Sequence, residues 1–341
     1  MALIVQPLGQ SRADQRRFVN RAGETEALIR GIAASQPVLV LGDGGSGRTS
    51  LLNHVAWLLA RGEARRDSVL VSGEVAEDPA QLLGVLVARV HRLGGPRASR
   101  GRWLDDLRAL SMPDGPFGAV ARPAILMELI DLLGERLAEL GRPVCLMVDG
   151  IAPPVAHGLF GTLRNELWTL AGATWVLAGD SVAEPRYLEP PADAFFQAVV
   201  RLGPLSDADA RKLSRAHGFA LTQAQLEQVL TAAHGNPRRL LRAAGEIQSG
   251  LAPSCAGTDE LAARAARLAG PLAGALVEYL ADRGPAAASD KTMLRRLGAS
   301  RQRASQLMHE LESAGLLETI EHHEPGRRGR PARRFAVRSQ A

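Results

Sequence analysis

Residues 42–49 read Gly-Asp-Gly-Gly-Ser-Gly-Arg-Thr, directly after the apolar run Val38-Leu39-Val40-Leu41 and before Ser50-Leu51-Leu52-Asn53-His54-Val55-Ala56. A buried strand, a glycine loop and a helix in that order form the setting in which G-x-x-x-x-G-K-[ST] binds phosphate. Glycines let successive backbone N–H groups face an anion, and the helix N-terminus adds partial positive charge. The expected phosphate contacts are therefore Gly42, Asp43, Gly44, Gly45, Ser46, Gly47, Arg48, Thr49 and Ser50. Thr49 offers its hydroxyl to Mg²⁺. Arg48 stands where the motif has Lys, and a planar, forked guanidinium copies a compact ammonium poorly.

The chain has 341 residues, enough for two or three domains, and 46% hydrophobic residues, enough for real cores. Only 4% are aromatic, so those cores are built mainly from Leu, Val and Ala. The net charge is +5 and the pI about 9.9, which suits a polyanionic partner. Lys212 and Lys291 are the only lysines, a bias that composition explains but that does not account for Arg at a position with a specific charge role. Cys145 falls in an apolar run and Cys255 in a linker-like stretch, so neither a disulfide nor a metal site is expected from them. The first residues carry no charged, then apolar, leader pattern. No uncharged apolar run has membrane-spanning length. A cytoplasmic protein with no membrane partner is expected.

Working outward, strands are expected at 37–41, 68–71, 144–149 and 174–178, with helices at 79–93, 123–140 and 158–171. Alternating strands and helices imply a parallel sheet covered on both faces. Residues 94–122, rich in Gly, Pro and Arg around an amphipathic piece at 103–110, read as an insertion or surface loop. After Pro204 only helical patterns follow, including Gly235-Asn236-Pro237-Arg238, where Asn caps and Pro opens a helix. The expected division is a P-loop domain at 1–203, a helical lid at 204–248, a linker at 249–261 and a basic module at 262–341.

Asp149 closes an apolar strand about a hundred residues after the loop, where a carboxylate can hold Mg²⁺ directly or through water; the alternative is a helix cap. Gly150 follows it, so the acidic residue that would polarise a water is missing there. Arg238 is a candidate nucleotide contact from the lid, or else a solvated arginine. Asp180 could sense a terminal phosphate or simply cap a turn. Arg164 is a candidate finger toward a neighbouring subunit, with a surface charge as the plainer reading.

The C-terminal module carries the second signal. Helices are expected at 271–281, 290–297 and 300–314, with Ala304, Leu307, Met308 and Leu311 at core spacing on the third. Its opposite face holds Gln302, Ser305, Gln306 and His309, flanked by Arg301 and Arg303, and suits base reading in a major groove. A strand near 316–320, a tip with Arg327, Arg328 and Arg330, and a return strand with Arg333 and Arg334 form a basic hairpin suited to DNA phosphates. His322 and His323 have no partners at metal-ligand spacing.

The box Phe18-Val19-Asn20-Arg21-Ala22-Gly23-Glu24, the P-loop, the strands ending near Asp149 and Asp180, and Gly235-Asn236-Pro237-Arg238 occur in one order. In this the chain resembles AAA+ and STAND ATPases with a C-terminal winged helix, of the origin-recognition initiator type, over nearly its whole length. The resemblance implies an α/β fold: a RecA/AAA+-like parallel sheet, a helical lid and a winged-helix domain. It implies ATP or ADP with Mg²⁺ between base and lid, double-stranded DNA as a partner, a homo-oligomer, and other protein partners. It casts Asp149, Asp180 and Arg238 as the Walker B, sensor 1 and sensor 2 residues. Arg48 and Gly150 depart from the pattern, so ATP hydrolysis is expected to be weak or absent and the role that of a switch or platform on DNA. An active loader motor and a nucleotide-free scaffold or transcription regulator are the alternatives.

Overall fold

Val38–Gly42 is buried at every position and Val144–Asp149 at all but its last, so neither strand alternates between core and solvent. Strands apolar on both faces belong inside a covered parallel sheet. They form its fourth and second positions. The computed structural model describes residues 5–62, 66–94, 122–251, 253, 258–322 and 332–338. Its main sheet has five parallel strands: β1 (Val38–Gly42), β2 (Asp67–Ser72), β3 (Val144–Asp149), β4 (Ala173–Asp180) and β5 (Ala198–Leu202). Their order is β2-β3-β4-β1-β5. This is the P-loop AAA+ α/β arrangement.

Alternate side chains of the same strands feed two cores. Leu39, Leu41, Leu146, Val148 and Leu177 pack with Leu82, Leu86, Leu133 and Phe160 on one face. Val38, Val40, Cys145, Met147 and Val176 pack with Leu28, Leu51, Leu52 and Val55 on the other. The second set comes from the helices Ala22–Ala33 and Arg48–Leu59. Burial raises the Cys145 thiol to about 12, so it behaves as an inert hydrophobe.

Two sequence expectations need correction. The strand Ala198–Leu202 lies outside the expected set, because Ala-Val-Val-Arg-Leu is short and carries an exposed Arg201. It is an edge strand, where such a residue can face solvent. The single helix expected at 158–171 is instead a short helix Pro153–Ala156, a wide π-type turn His157–Thr162 and a helix Arg164–Trp168. The wide turn buries Phe160 against Trp175, Phe195 and Phe196, a side-chain demand that periodicity does not reveal.

Beyond β5 come Asp207–Ala216, Gln223–Ala233 and Pro237–Gln248, which share a core of their own around Leu213, Val229, Leu240 and Ala244. Thr258–Ala269 begins within the stretch read as a linker and packs against Pro271–Arg283. Lys291–Leu297 and Arg301–Ser313 follow, then the antiparallel pair β6 (Leu317–His322) and β7 (Ala332–Val337). Ala286 and Phe335 exchange backbone hydrogen bonds of 3.1 and 2.9 Å, which adds a third edge to that pair. The stretch at 95–121, Cys255, His323 and the tip residues Arg327, Arg328 and Arg330 lie outside the described residues.

Candidate nucleotide site and C-terminal surface

Register places four strand ends at one edge of the sheet: Gly42 pairs with Asp180, and Ser72 with Asp149. Ligands of open α/β sheets bind outside the carboxyl ends of the strands. Gly45 and Gly47 have φ of +87° and +97°, values that L side chains rarely adopt, so the loop needs glycine at both. The helix Arg48–Leu59 starts immediately after, with Gly47 as its N-cap and no side-chain cap on its first N–H groups. Those donors remain open toward a cleft of about 270 Å³.

Among the sequence-expected residues, Gly45, Gly47, Arg48, Thr49, Ser50, Asp149 and Arg238 line this cleft. Gly42, Asp43, Gly44 and Ser46 do not. Asp43 and Ser46 face a neighbouring cavity beside Asn236 and Glu278. Ser50 Oγ accepts a hydrogen bond of 3.1 Å from the Leu8 backbone, so it also anchors the N-terminal segment over the cleft.

Thr49 Oγ1 donates to Asp149 Oδ2 at 2.5 Å. These two groups are the ones a divalent cation would share. Burial holds the Asp149 carboxyl above its ordinary range, against the Thr49 hydrogen bond and the Arg48 charge, which favour ionisation. The sign follows directly. Ionised Asp149 is penalised in the folded chain at neutral pH, and either a proton or a cation relieves it. The proton does so as pH falls through the raised folded value, adding stability that is lost again as pH rises through it. Proton and cation therefore compete. Mg²⁺-dependent nucleotide binding should weaken as pH is lowered through the raised range of the Asp149 carboxyl, with Mg²⁺-free binding changing less. Calorimetry at several pH values measures both, and a pH-independent Mg²⁺ increment would remove Asp149 from the cation site.

Arg48 turns toward Asp180, with 3.6 Å between Nη2 and Oδ2 and only 12% and 11% of the two side chains exposed. Its Nη1 is buried without a hydrogen-bond partner among the described residues. A desolvated guanidinium with an unsatisfied donor fits an anion that would complete its bonds.

The helical unit after β5, expected as a lid, approaches through Gly235-Asn236-Pro237-Arg238. Asn236 caps its helix by accepting from the N–H groups of Arg238 and Arg239, and its Nδ2 donates to the Gly44 carbonyl at 2.9 Å. A Cβ on Gly45 would stand 2.7 Å from Asn236 Oδ1, so the glycine lets lid and loop meet. The Arg238 side chain pairs with Asp282 at 3.0 Å, and Asp282 also takes Arg242 at 3.4 Å.

Further contributors come from outside the loop, Arg21 from the box already read in the sequence and the others from positions without a sequence signal. Arg21 bonds Glu24 at 2.9 Å and the Ser46 carbonyl at 3.2 Å, tying the Phe18–Glu24 box to the loop. Arg283 and Arg296, from the C-terminal helices, line the same cleft, and Arg296 Nε lies 3.6 Å from Asp180 Oδ2. Nothing in the local sequence of Arg296 points to a partner more than a hundred residues earlier. Glu74 lines the cleft beside Asp149 and Gly150. Arg164 donates to the Pro191 carbonyl at 3.0 Å and lies over Trp168.

On the C-terminal surface, Arg301, Gln302, Gln306 and His309 are exposed along one side of Arg301–Ser313, while Ala304, Leu307, Met308 and Leu311 are buried. Arg303, Ser305 and Arg334 are partly exposed. Glu310 and Glu312 share this side: Gln306 donates to Glu310 at 3.0 Å, and Glu312 holds Arg333 at 2.9 Å and His309 at 3.4 Å. The Thr319 hydroxyl, then Arg333 and His309, hold the Glu312 carboxyl below its usual range. Arg333 and His309 are thus engaged within the module. Among the described residues no group of three or more His, Cys, Asp or Glu side chains forms a metal cluster, and no helix is long and apolar enough to cross a membrane.

No family model matches the chain, and no curated protein matches it. Solved structures do. The chain is similar to the Orc1 protein of Aeropyrum pernix, solved in complex with DNA, at 18% identity over 94% of this chain and 89% of that one, with a TM-score of 0.51. It is also similar to the Walker-type ATPase PABY2304 of Pyrococcus abyssi, at 16% identity over 98% and 96% of the two chains with a TM-score of 0.48. Cdc6p of Pyrobaculum aerophilum follows at 16% identity over 98% and 94%, with a TM-score of 0.45. At such identity the likeness to Orc1 speaks for the fold alone: this chain has the P-loop AAA+ α/β fold of the Orc1-type proteins.

Proposed function

We propose that this protein is a DNA-binding, ATP-binding switch with slow turnover, in which nucleotide and the C-terminal module bear on each other. The observation that carries the reading is the cleft's composition. Its phosphate end gathers Arg48 from the loop, Arg238 from the lid, and Arg283 and Arg296 from the C-terminal helices. Four guanidinium groups beside open helix N–H donors suit a triphosphate. Two of the four come from the module that also carries the exposed or partly exposed Arg301, Gln302, Arg303, Ser305, Gln306, His309 and Arg334, which we assign to duplex contact.

Thr49 and Asp149 would hold Mg²⁺, which would supply charge neutralisation at the phosphates. Val5, Leu8, Leu213 and Leu241 give the cleft an apolar end where a base can be buried. The C-terminal elements run helix, helix, edge strand, helix, helix and hairpin, which we assign as a winged helix. Arg296 also contacts the loop closely: a Cβ on Gly44 would fall 2.0 Å from its Nη2. A bound phosphate would therefore act on a residue that helps dock the module.

ATP·Mg²⁺ should change affinity for a duplex by about fivefold or more, within the usual range of couplings between sites. The Arg296→Ala chain should bind ATP more weakly and still bind DNA, while losing most of that coupling at saturating nucleotide. Anisotropy on a labelled duplex, with and without nucleotide, measures it. Both ligands binding with no mutual effect would count against the switch. Absence of ATP binding would favour a scaffold, and brisk turnover a motor.

A further inference from the structure

The acidic residue missing after Asp149 has a counterpart on the neighbouring strand. We infer that Glu74, at the end of β2, is the general base that activates the attacking water; this rests on the ATP-site reading above. Ser72 pairs with Asp149 in the parallel register, so the turn after β2 lies beside the turn after β3. Gly73 draws the two turns together. A Cβ there would stand 2.7 Å from the Ile151 Cα, a backbone clash, so only glycine allows this approach. The next residue, Glu74, is thereby delivered against Gly150. A Cβ on Gly150 would lie 3.0 Å from the Glu74 Cγ and 3.4 Å from its Oε1. The carboxylate of Glu74 thus occupies the space into which a side chain at position 150 would grow. Gly150, lacking a side chain, leaves that space to Glu74, and it also has φ of +71°, a conformation that disfavours Glu there.

The other carboxylates at this edge of the sheet are engaged. Asp149 accepts the Thr49 hydroxyl at 2.5 Å. Asp180 is shared by Arg48 and Arg296 at 3.6 Å each. Glu74 lines the same cleft, and among the described residues no hydrogen bond or ion pair engages its carboxylate. It is open to solvent, from which the water comes. In the step, the water oxygen bonds to the terminal phosphorus as its proton passes to the Glu74 carboxylate. The bond from that phosphorus to the β–γ bridging oxygen breaks, and its electron pair leaves with ADP. Glu74 then returns the proton to solvent or phosphate. Nothing is oxidised or reduced.

The test uses the full chain and the variants Glu74→Gln and Glu74→Asp. Calorimetry with ATP·Mg²⁺ and with a slowly hydrolysed thio-analogue gives binding. Long single-turnover incubations with labelled ATP give the chemical step, and chromatography of nucleotide released from the purified protein gives its resting state. Glu74→Gln should leave both affinities within about threefold and slow the chemical step about a hundredfold, since a positioned base contributes about 10²–10⁴. It should also retain ATP where the wild type retains ADP. Glu74→Asp should fall between the two. Unchanged single-turnover rate in Glu74→Gln would overturn the assignment, as would a wild type that binds ATP but never cleaves it above the uncatalysed rate. Loss of binding in Glu74→Gln together with Glu74→Asp would make Glu74 a structural or binding group instead. A wild type that binds no nucleotide would overturn the underlying site reading, a result distinct from the others.

Discussion

On the proposed reading, a chain ending at residue 257 should lose duplex binding by more than about a hundredfold at moderate salt, because phosphate neutralisation by basic side chains is the main source of affinity for a duplex. The module that follows has its own core around Leu276, Leu280, Leu307 and Leu311, so its removal leaves the sheet and lid cores intact. In the full chain, Arg301→Ala, Arg303→Ala and Arg334→Ala together should weaken binding on any sequence. They should also flatten the dependence of log affinity on log salt by up to about 0.9 for each phosphate that is no longer neutralised. Gln302→Ala, Ser305→Ala and Gln306→Ala should act differently, removing about 1–3 kcal/mol of discrimination for a good bidentate base pairing. Arg333 is a special case. Glu312 holds it at 2.9 Å and so neutralises part of its charge. Glu312→Ala frees Arg333 and removes a repelling carboxylate, so it should tighten binding on every duplex. Anisotropy on specific and random duplexes separates these contributions. A truncated chain that binds as tightly as the full one would place the DNA surface elsewhere.

The parts of this molecule legible in the sequence are those that local chemistry decides. Val38–Gly42 and Val144–Asp149 read as buried strands because a continuous apolar run has no solvated face to hide. The Asn236 cap is readable because a helix start needs side-chain acceptors for its free N–H groups. The edge strand Ala198–Leu202 is not readable, since its pairing with β1 rather than its composition makes it a strand. The wide turn His157–Thr162 is not readable either, because the placement of Phe160 among Trp175, Phe195 and Phe196 sets its geometry. The site divides in the same way. The glycine loop and Asp149 are motif residues with fixed local contexts. Arg21, Glu74, Arg283 and Arg296 reach the cleft through long-range packing. Glu74 is brought in by the backbone approach that Gly73 permits and Arg296 by the room beside Gly44, and those glycines do not name their partners.

Replacing Arg48 with Lys should tighten ATP·Mg²⁺ binding by about tenfold or more, the equivalent of one good charge-assisted hydrogen bond. The wild-type guanidinium spends Nη2 on Asp180 at 3.6 Å, which leaves only the fixed Nη1 fork position for a phosphate oxygen. A Lys ammonium is compact and has three donors that can rotate toward phosphate oxygens. One such bond gained is worth about 1.5–3 kcal/mol, which is the source of the expected factor. The opposing cost is small, because Arg296 already lies 3.6 Å from Asp180 and keeps that carboxylate paired when Arg48 is gone. Cleavage should rise less than affinity does. The Lys charge assists the terminal phosphate, yet the water must still be activated from β2 rather than from position 150. Calorimetry on the wild type and Arg48→Lys measures the first change, and single-turnover cleavage the second. Equal or weaker binding in Arg48→Lys would mean that Arg48 already serves the phosphate as well as a Lys could. Its pairing with Asp180 would then be a resting contact that the nucleotide displaces at little cost.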